Sequence, residues 1–222
     1  MRRIPICVLI FAAVTAKAAS GLPAAPDDPD LKSAWQQYQA EQFGPAARSY
    51  ERAAKRGQPI GEYNFAMMLI NGQGVRKDAA RGHVWLRKAA EAGLAQAQYD
   101  LGLLYENGAG LPKSQPDAVH WYRLAAEQGH AEAKFTLATQ YFLGRGVEKD
   151  YAQAAKWYES AAENGIEAAQ YIIASCYEHG DGVAPDLDRA IYWYIQASLQ
   201  GDSAAADKAR ALEETVRNSK PS

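Results

Sequence analysis

From about residue 31 onward the apolar positions recur with the 3.6-residue period of amphipathic helices, not with the two-residue period of strands. In the segment from Ala97 to Tyr105, the residues Ala97, Leu101, Leu104 and Tyr105 share one face. Counterparts run from Ala133 to Tyr141 and from Ala169 to Tyr177. Each segment leads into a Gly-x-Gly step: Gly72/Gly74, Gly108/Gly110, Gly144/Gly146 and Gly180/Gly182. A helix end favours residues that accept positive φ, so these steps predict helix termini. A second helix is then predicted to start at Asp78, Ser114, Asp150 and Asp186, all good N-caps, and Gln153 adds a capping-box pattern to Asp150. It runs through Trp85, Trp121, Trp157 or Trp193 into a small pair: Ala89-Ala90, Ala125-Ala126, Ala161-Ala162 or Ala197-Ser198. Gly57, Gly93, Gly129, Gly165 and Gly201 form a further ladder that ends these helices.

The glycine and tryptophan columns share one unbroken period of 36 residues. Such a period predicts stacked supersecondary units, because one helical hairpin cannot bury its apolar face alone. Small residues in register (Ala66, Gly102, Ala138 and Ala174) would let the helices approach closely, with Trp and Tyr filling the wider gaps. The aromatic column Tyr63, Tyr99, Phe135, Tyr171 repeats too faithfully to encode specificity and reads as packing. Residues 58–201 form four full units. Residues 31–57 read as a divergent first hairpin without the Gly-x-Gly step, and residues 202–222 as a C-terminal capping helix and tail.

The N-terminus reads differently. Arg2 and Arg3 precede an uncharged apolar run from Ile4 to Ala16, and Ala16-Lys17-Ala18 supplies an A-x-A cleavage pattern. The run is shorter than the ~20 residues of a membrane-spanning helix. Residues 1–18 are therefore expected to be a cleaved signal peptide, making the mature protein periplasmic or secreted and without stable membrane insertion. Residues 19–30, rich in proline and acid, are expected to be a disordered linker. Cleavage would remove three basic residues and no acid, making the chain more acidic than its full-length net charge of −2. That balance argues against nucleic acid as a partner. It would also remove Cys7 and leave Cys176 as the one thiol, expected to be buried on a helix.

Candidate chemistry is sparse. His83, His120, His130 and His179 lack metal-ligand spacing, and the mature chain has no second cysteine for a zinc site. The Gly-x-Gly steps join two helices and lack the Gly-Lys-Ser/Thr of a phosphate loop, and there is no nucleophile elbow. No catalytic residue, metal or cofactor is expected.

The segment from Gly108 to Gly129, with Trp121-Tyr122, resembles the repeat of the Sel1-like family, a relative of the tetratricopeptide repeat. Gly82, where that family usually has Ala, and Leu111-Pro112 are modest departures. The resemblance implies an all-α, right-handed α/α solenoid, a superhelix of stacked hairpins, whose first helices line a concave groove. It implies a non-enzymatic scaffold or adaptor that binds another protein, in exported members within envelope signalling or secretion complexes. Read at helical spacing, the groove positions would be Met67, Leu103, Thr139 and Ser175; Ile70, Glu106, Phe142 and Glu178; and Asn71, Asn107, Leu143 and His179. The alternative is a protein that binds peptidoglycan or another glycan, or acts on β-lactams as cysteine-rich Sel1 proteins are described to do. This chain lacks the cysteine pairs of that subgroup.

Overall fold

The computed structural model describes residues 28–219. Among them there are eleven α-helices and no strand. The expected signal peptide lies outside the described residues. The helices are α1 (Pro29–Gln39), α2 (Phe43–Lys55), α3 (Pro59–Asn71), α4 (Ala79–Glu91), α5 (Ala95–Asn107), α6 (Gln115–Glu127), α7 (Ala131–Leu143), α8 (Tyr151–Glu163), α9 (Glu167–His179), α10 (Leu187–Leu199) and α11 (Ser203–Ser219). Two compact units divide at Lys113/Ser114. The first holds α1 to α5 and the second α6 to α11. No described helix is long and apolar enough to cross a membrane.

The end of the expected linker is helical instead. Asp28 caps α1, accepting from the backbone N–H of Asp30 at 2.9 Å and of Leu31 at 3.2 Å, and Pro29 takes the first helical position. Arg56 then clasps both Asp28 and Asp30, and Arg52 bonds Asp30. Proline and acid, read as signs of disorder, here start a helix and tie it to α2.

The second helices begin as predicted. Asp78, Ser114, Asp150 and Asp186 each accept from the N–H three residues on. Each first helix ends on a left-handed glycine, with φ from 67° to 83° at Gly72, Gly108, Gly144 and Gly180. The N–H groups of Asp78, Asp150 and Asp186 return to carbonyls in the last turn of α3, α7 and α9 at 2.9–3.1 Å, closing the loops. The second helices end in Schellman-type closures, such as Leu94 N–H to Ala89 O at 3.0 Å and Ile166 N–H to Ala161 O at 3.2 Å.

In three of the four steps the second glycine fixes how a repeat rests on the one before it within its compact unit. A Cβ on Gly182 would lie 2.0 Å from the Tyr151 carbonyl oxygen. On Gly146 it would lie 2.4 Å from that of Gln115, and on Gly74 2.2 Å from that of Phe43. Each of these contacts is made to the residue that opens the preceding second helix. The loop of one unit therefore rests directly on the backbone of the unit before it. Gly110 meets the His83 ring at this place instead.

Small residues fill the helix interfaces. Ala66, Ala138, Ala174, Ala89, Ala125, Ala161 and Ala197 are fully buried. Gly82 is explained by its neighbours: a Cβ there would come within 2.5 Å of Ile70 Cγ1 and 3.0 Å of the Ala66 carbonyl. Cys176 is buried, and burial first, then the nearby Asp181 charge, pushes its thiol up to about 11.

One repeated polar contact is broken in the first unit. Gln98 donates through Nε2 to the Ala90 carbonyl at 3.1 Å, and Gln170 likewise to Ala162 at 3.2 Å. Both reach back eight residues to the C-terminal turn of the preceding second helix. The same register aligns Glu62 with the Ala54 carbonyl, and Gly61 packs directly on Ala53 and Ala54. Glu62 is buried, and its Oε2 has no hydrogen-bond partner. Burial raises its pKa; Lys88 opposes that shift and Glu91 adds to it. A carboxylate cannot donate to Ala54, whereas a protonated acid can.

Thermal or denaturant unfolding of three variants tests these contacts. Gly182→Ala should cost ~3 kcal/mol or more, since it adds a backbone collision to the ~1–2 kcal/mol of a left-handed Cβ. Gly165→Ala, whose φ is also positive but whose Cβ would meet nothing within 4 Å, should cost only about 1 kcal/mol. Glu62→Gln should stabilise at pH 7 by ~0.5–1.5 kcal/mol, by supplying the missing donor. The native pKa of Glu62 lies above its ordinary 4.5, so its contribution falls as pH rises from that value. The advantage of the variant should therefore shrink toward pH 4.

Candidate partner-binding face

The first helices of each unit carry the predicted positions. In the first unit, Met67 and Ile70 on α3 and Leu103 and Glu106 on α5 are half-buried, while Asn71 and Asn107 are exposed. Asn107 donates through Nδ2 to the Leu103 carbonyl at 2.9 Å, which leaves its amide oxygen as an acceptor.

In the second unit, Leu143 and Phe142 on α7 are exposed, at 43% and 39%. Ser175 is half-buried and His179 exposed on α9, and His179 Nδ1 lies 3.0 Å from the Ser175 carbonyl. The Thr139 hydroxyl donates to the Phe135 carbonyl at 3.0 Å and lies 3.0 Å from the Tyr158 hydroxyl on α8.

In the column Ile70, Glu106, Phe142 and Glu178, three residues also touch the second helices, Phe142 while remaining exposed. Ile70 packs on Gly82 of α4. The Phe142 ring meets Tyr151 of α8 edge-on at 5.3 Å. Glu178 accepts from the Tyr194 hydroxyl of α10 at 2.7 Å and from Lys208 Nζ of α11 at 3.0 Å. Helical spacing gives the reason. These residues lie four after Ala66, Ala138 and Ala174, the stripe that packs on the second helix, and residues four apart share a face. Burial works to raise the Glu178 pKa, but the Tyr194 and Lys208 bonds outweigh it and hold the carboxyl below its usual range. Glu178 is thereby a tie between the capping helix and the last full unit.

Asp100 and Gln96, which continue the stripe of Leu103 and Asn107, were not among the expected positions. On α5, Gln96, Asp100, Leu103 and Asn107 share a face at spacings of three and four. Asp100 accepts from the Tyr63 hydroxyl of α3 at 2.7 Å and from Gln96 Nε2 at 3.1 Å. Burial, only partly offset by those two bonds, pushes its carboxyl up to about 6. Yet Asp100 keeps part of its surface accessible. The signal was available: the column Asn64, Asp100, Thr136, Ile172 changes at every unit, beside an aromatic column that does not. The aromatic column packs. Phe135 meets Tyr158 at 5.6 Å and Tyr171 meets Tyr194 at 5.2 Å, while Tyr63 is fully buried.

A second polar node lies between the helices of the second unit. Glu159 on α8 accepts from the Tyr177 hydroxyl at 3.0 Å and from Arg189, whose guanidinium sits 4.1 Å from the centre of the Tyr177 ring. Burial, then the bond to Glu159, pushes the Tyr177 phenol up to about 12. This node joins three helices and has the character of a brace. Of the histidines, His130 caps α7, accepting from the Ala133 N–H at 3.3 Å. His83 is half-buried against Gly110, and burial lowers its pKa. Among the described residues no three His, Cys, Asp or Glu side chains gather where they could hold a metal ion.

Comparison with known proteins agrees with this architecture. The Sel1 repeat profile matches four consecutive segments, residues 59–94, 95–130, 131–166 and 167–202. A Sel1 repeat protein from Oxalobacter formigenes is 33% identical, with a TM-score of 0.74 over 86% of each chain. The protein c5321 of uropathogenic Escherichia coli strains, a protective antigen displaying the same class of fold, is also 33% identical, with a TM-score of 0.73. That match covers 88% of this chain but only 42% of c5321. No curated protein of known function matches the sequence. Sel1 repeat proteins generally serve as scaffolds for protein–protein interaction and are generally non-catalytic. With four matched repeats on an all-α framework of stacked hairpins, this chain belongs to the Sel1 repeat family of α/α-solenoid proteins.

Proposed function

We propose that this chain is an exported scaffold that holds a segment of another protein on the accessible faces of its first helices, within an envelope or secreted complex. The observation that carries the reading is a contrast between columns. Glycine, alanine and aromatic positions repeat from unit to unit, whereas accessible first-helix positions change: Met67 and Leu103 in the first unit, Thr139 and Ser175 in the second, and Asp100, Thr136 and Ile172 alongside. Repeated positions serve packing, and varied accessible ones suit recognition of a partner that differs along its length. Export rests on the basic, apolar and A-x-A sequence of residues 1–18.

A glycan partner is the second reading. Exposed Phe142 and Tyr151 form an edge-on pair, with Lys149 Nζ 4.7 Å from the Tyr151 ring, a surface on which a sugar ring could stack.

One experiment separates these readings. The full chain, tagged at its C-terminus, is recovered from the envelope fraction of its own cells, beside a Met67/Leu103/Phe142 triple-alanine variant of matching helical content. The reading expects a mature mass beginning at Ala19 and a protein partner retained by the native chain and reduced at least ~10-fold by the variant. Uncleaved protein in the cytoplasm would refute export. Identical capture profiles would refute the first-helix face. Pelleting with purified peptidoglycan, lost on Tyr151→Ala, would move the glycan reading forward.

A further inference from the structure

Within the first unit, the first helices α3 and α5 carry Glu62, Asp100 and Glu106, and neither holds a lysine, arginine or histidine. Asp100 is the acid set into the accessible stripe. Its two oxygens accept only from neutral donors, the Tyr63 hydroxyl and the Gln96 amide. No charged group contributes to its ionisation. A carboxylate desolvated by surrounding protein without a cation is at a disadvantage that an incoming positive charge would remove. The groups around it suit such an arrival. Leu103, one turn along α5, is apolar and half-buried, and Met67 lies one turn along α3 from Tyr63. Asn107 has its donor committed to a backbone carbonyl and offers an acceptor oxygen.

We infer that Asp100, with Leu103 and Asn107 beside it, forms a subsite for a lysine or arginine side chain of the partner polypeptide, the aliphatic stem lying on Leu103 and the cation meeting the Asp100 carboxylate. Long basic side chains lay their methylenes along apolar surface while the charged head seeks acceptors. The subsite deepens the scaffold reading above and rests on it. The equivalent positions of the second unit, Thr136 and Ile172, carry no charge, so the preference for a basic residue belongs to the first unit alone. Binding there would also be linked to pH. The carboxylate takes up a proton as pH falls through about 6, and the attraction to a cation is lost with it.

The test is a selection of random dodecapeptides displayed on phage, at pH 7.5 and fixed salt, against the full chain and against Asp100→Asn. Asparagine keeps one acceptor oxygen for Gln96 while its Nδ2 can donate to the Tyr63 hydroxyl, and matching circular dichroism and melting would show that the variant folds. The subsite predicts native-selected peptides enriched at least ~5-fold in lysine or arginine at one position, and no such enrichment on the variant. The best peptide is then measured by fluorescence polarisation beside its norleucine counterpart. The basic residue should improve affinity ~10-fold on the native chain, by about the same factor less at pH 5, and not at all on the variant. Peptides enriched without a basic residue, or bound equally by both proteins, would overturn the subsite while leaving a binding face in place. A native chain that enriches no peptide would overturn the scaffold reading and the subsite with it.

Discussion

The stacking of this chain depends on backbone touching backbone. Where the second glycine of a Gly-x-Gly step rests on the residue that opens the preceding second helix, no side chain can stand between the units. The contact works only with positive φ and no Cβ, and both conditions select glycine. Everything else is arranged at distances set by that contact. Alanine stripes let the helices meet, Schellman closures turn the chain, and N-cap carboxylates start the next helix where the loop delivers it. Within each compact unit the hairpins therefore dock on their nearest neighbours. A single clash at a seam should act on two units at once.

This construction separates two jobs along each first helix. One stripe, through Ala66, Ala138 and Ala174 and on to Ile70 and Glu178, packs on the second helix, with Phe142 at its exposed edge. The stripe beside it is excused from packing and can vary. In the first unit it presents an acid, an amide and leucine on α5. In the second it presents hydroxyls and aliphatic groups, with Thr139 and Ser175 near the tyrosines of α8 and α10. The polar ties among helices follow the same division. Glu178 and Glu159 serve as internal braces because tyrosine hydroxyls and basic side chains converge on them, while Asp100 meets only neutral donors.

Much of this was legible in the sequence because the repeat reports itself. A column of glycines or alanines at fixed period can have only a backbone or close-packing cause, so helix ends, caps and the second-helix seam could be read directly. Two things could not. Asp28 and Pro29 looked like linker, since their role depends on Arg52 and Arg56, which reach them only in three dimensions. Glu178 was read as a recognition residue although Tyr194 and Lys208 converge on it, and Asp100, whose partner Tyr63 lies on another helix, was passed over. Variation alone does not separate a residue facing a partner from one facing an irregular neighbour. The arithmetic of four-residue spacing from Ala174 does make that separation for Glu178.

Glycine and alanine seams hold the repeats together, and the accessible faces of the first helices are left to meet the partner. The most direct test is hydrogen exchange of the full chain with and without its bound partner, followed peptide by peptide. Binding should slow exchange in α3, α5, α7 or α9 and leave α4, α8 and α10 unchanged. Slowing confined to the second helices, with the first helices unaffected, would contradict it.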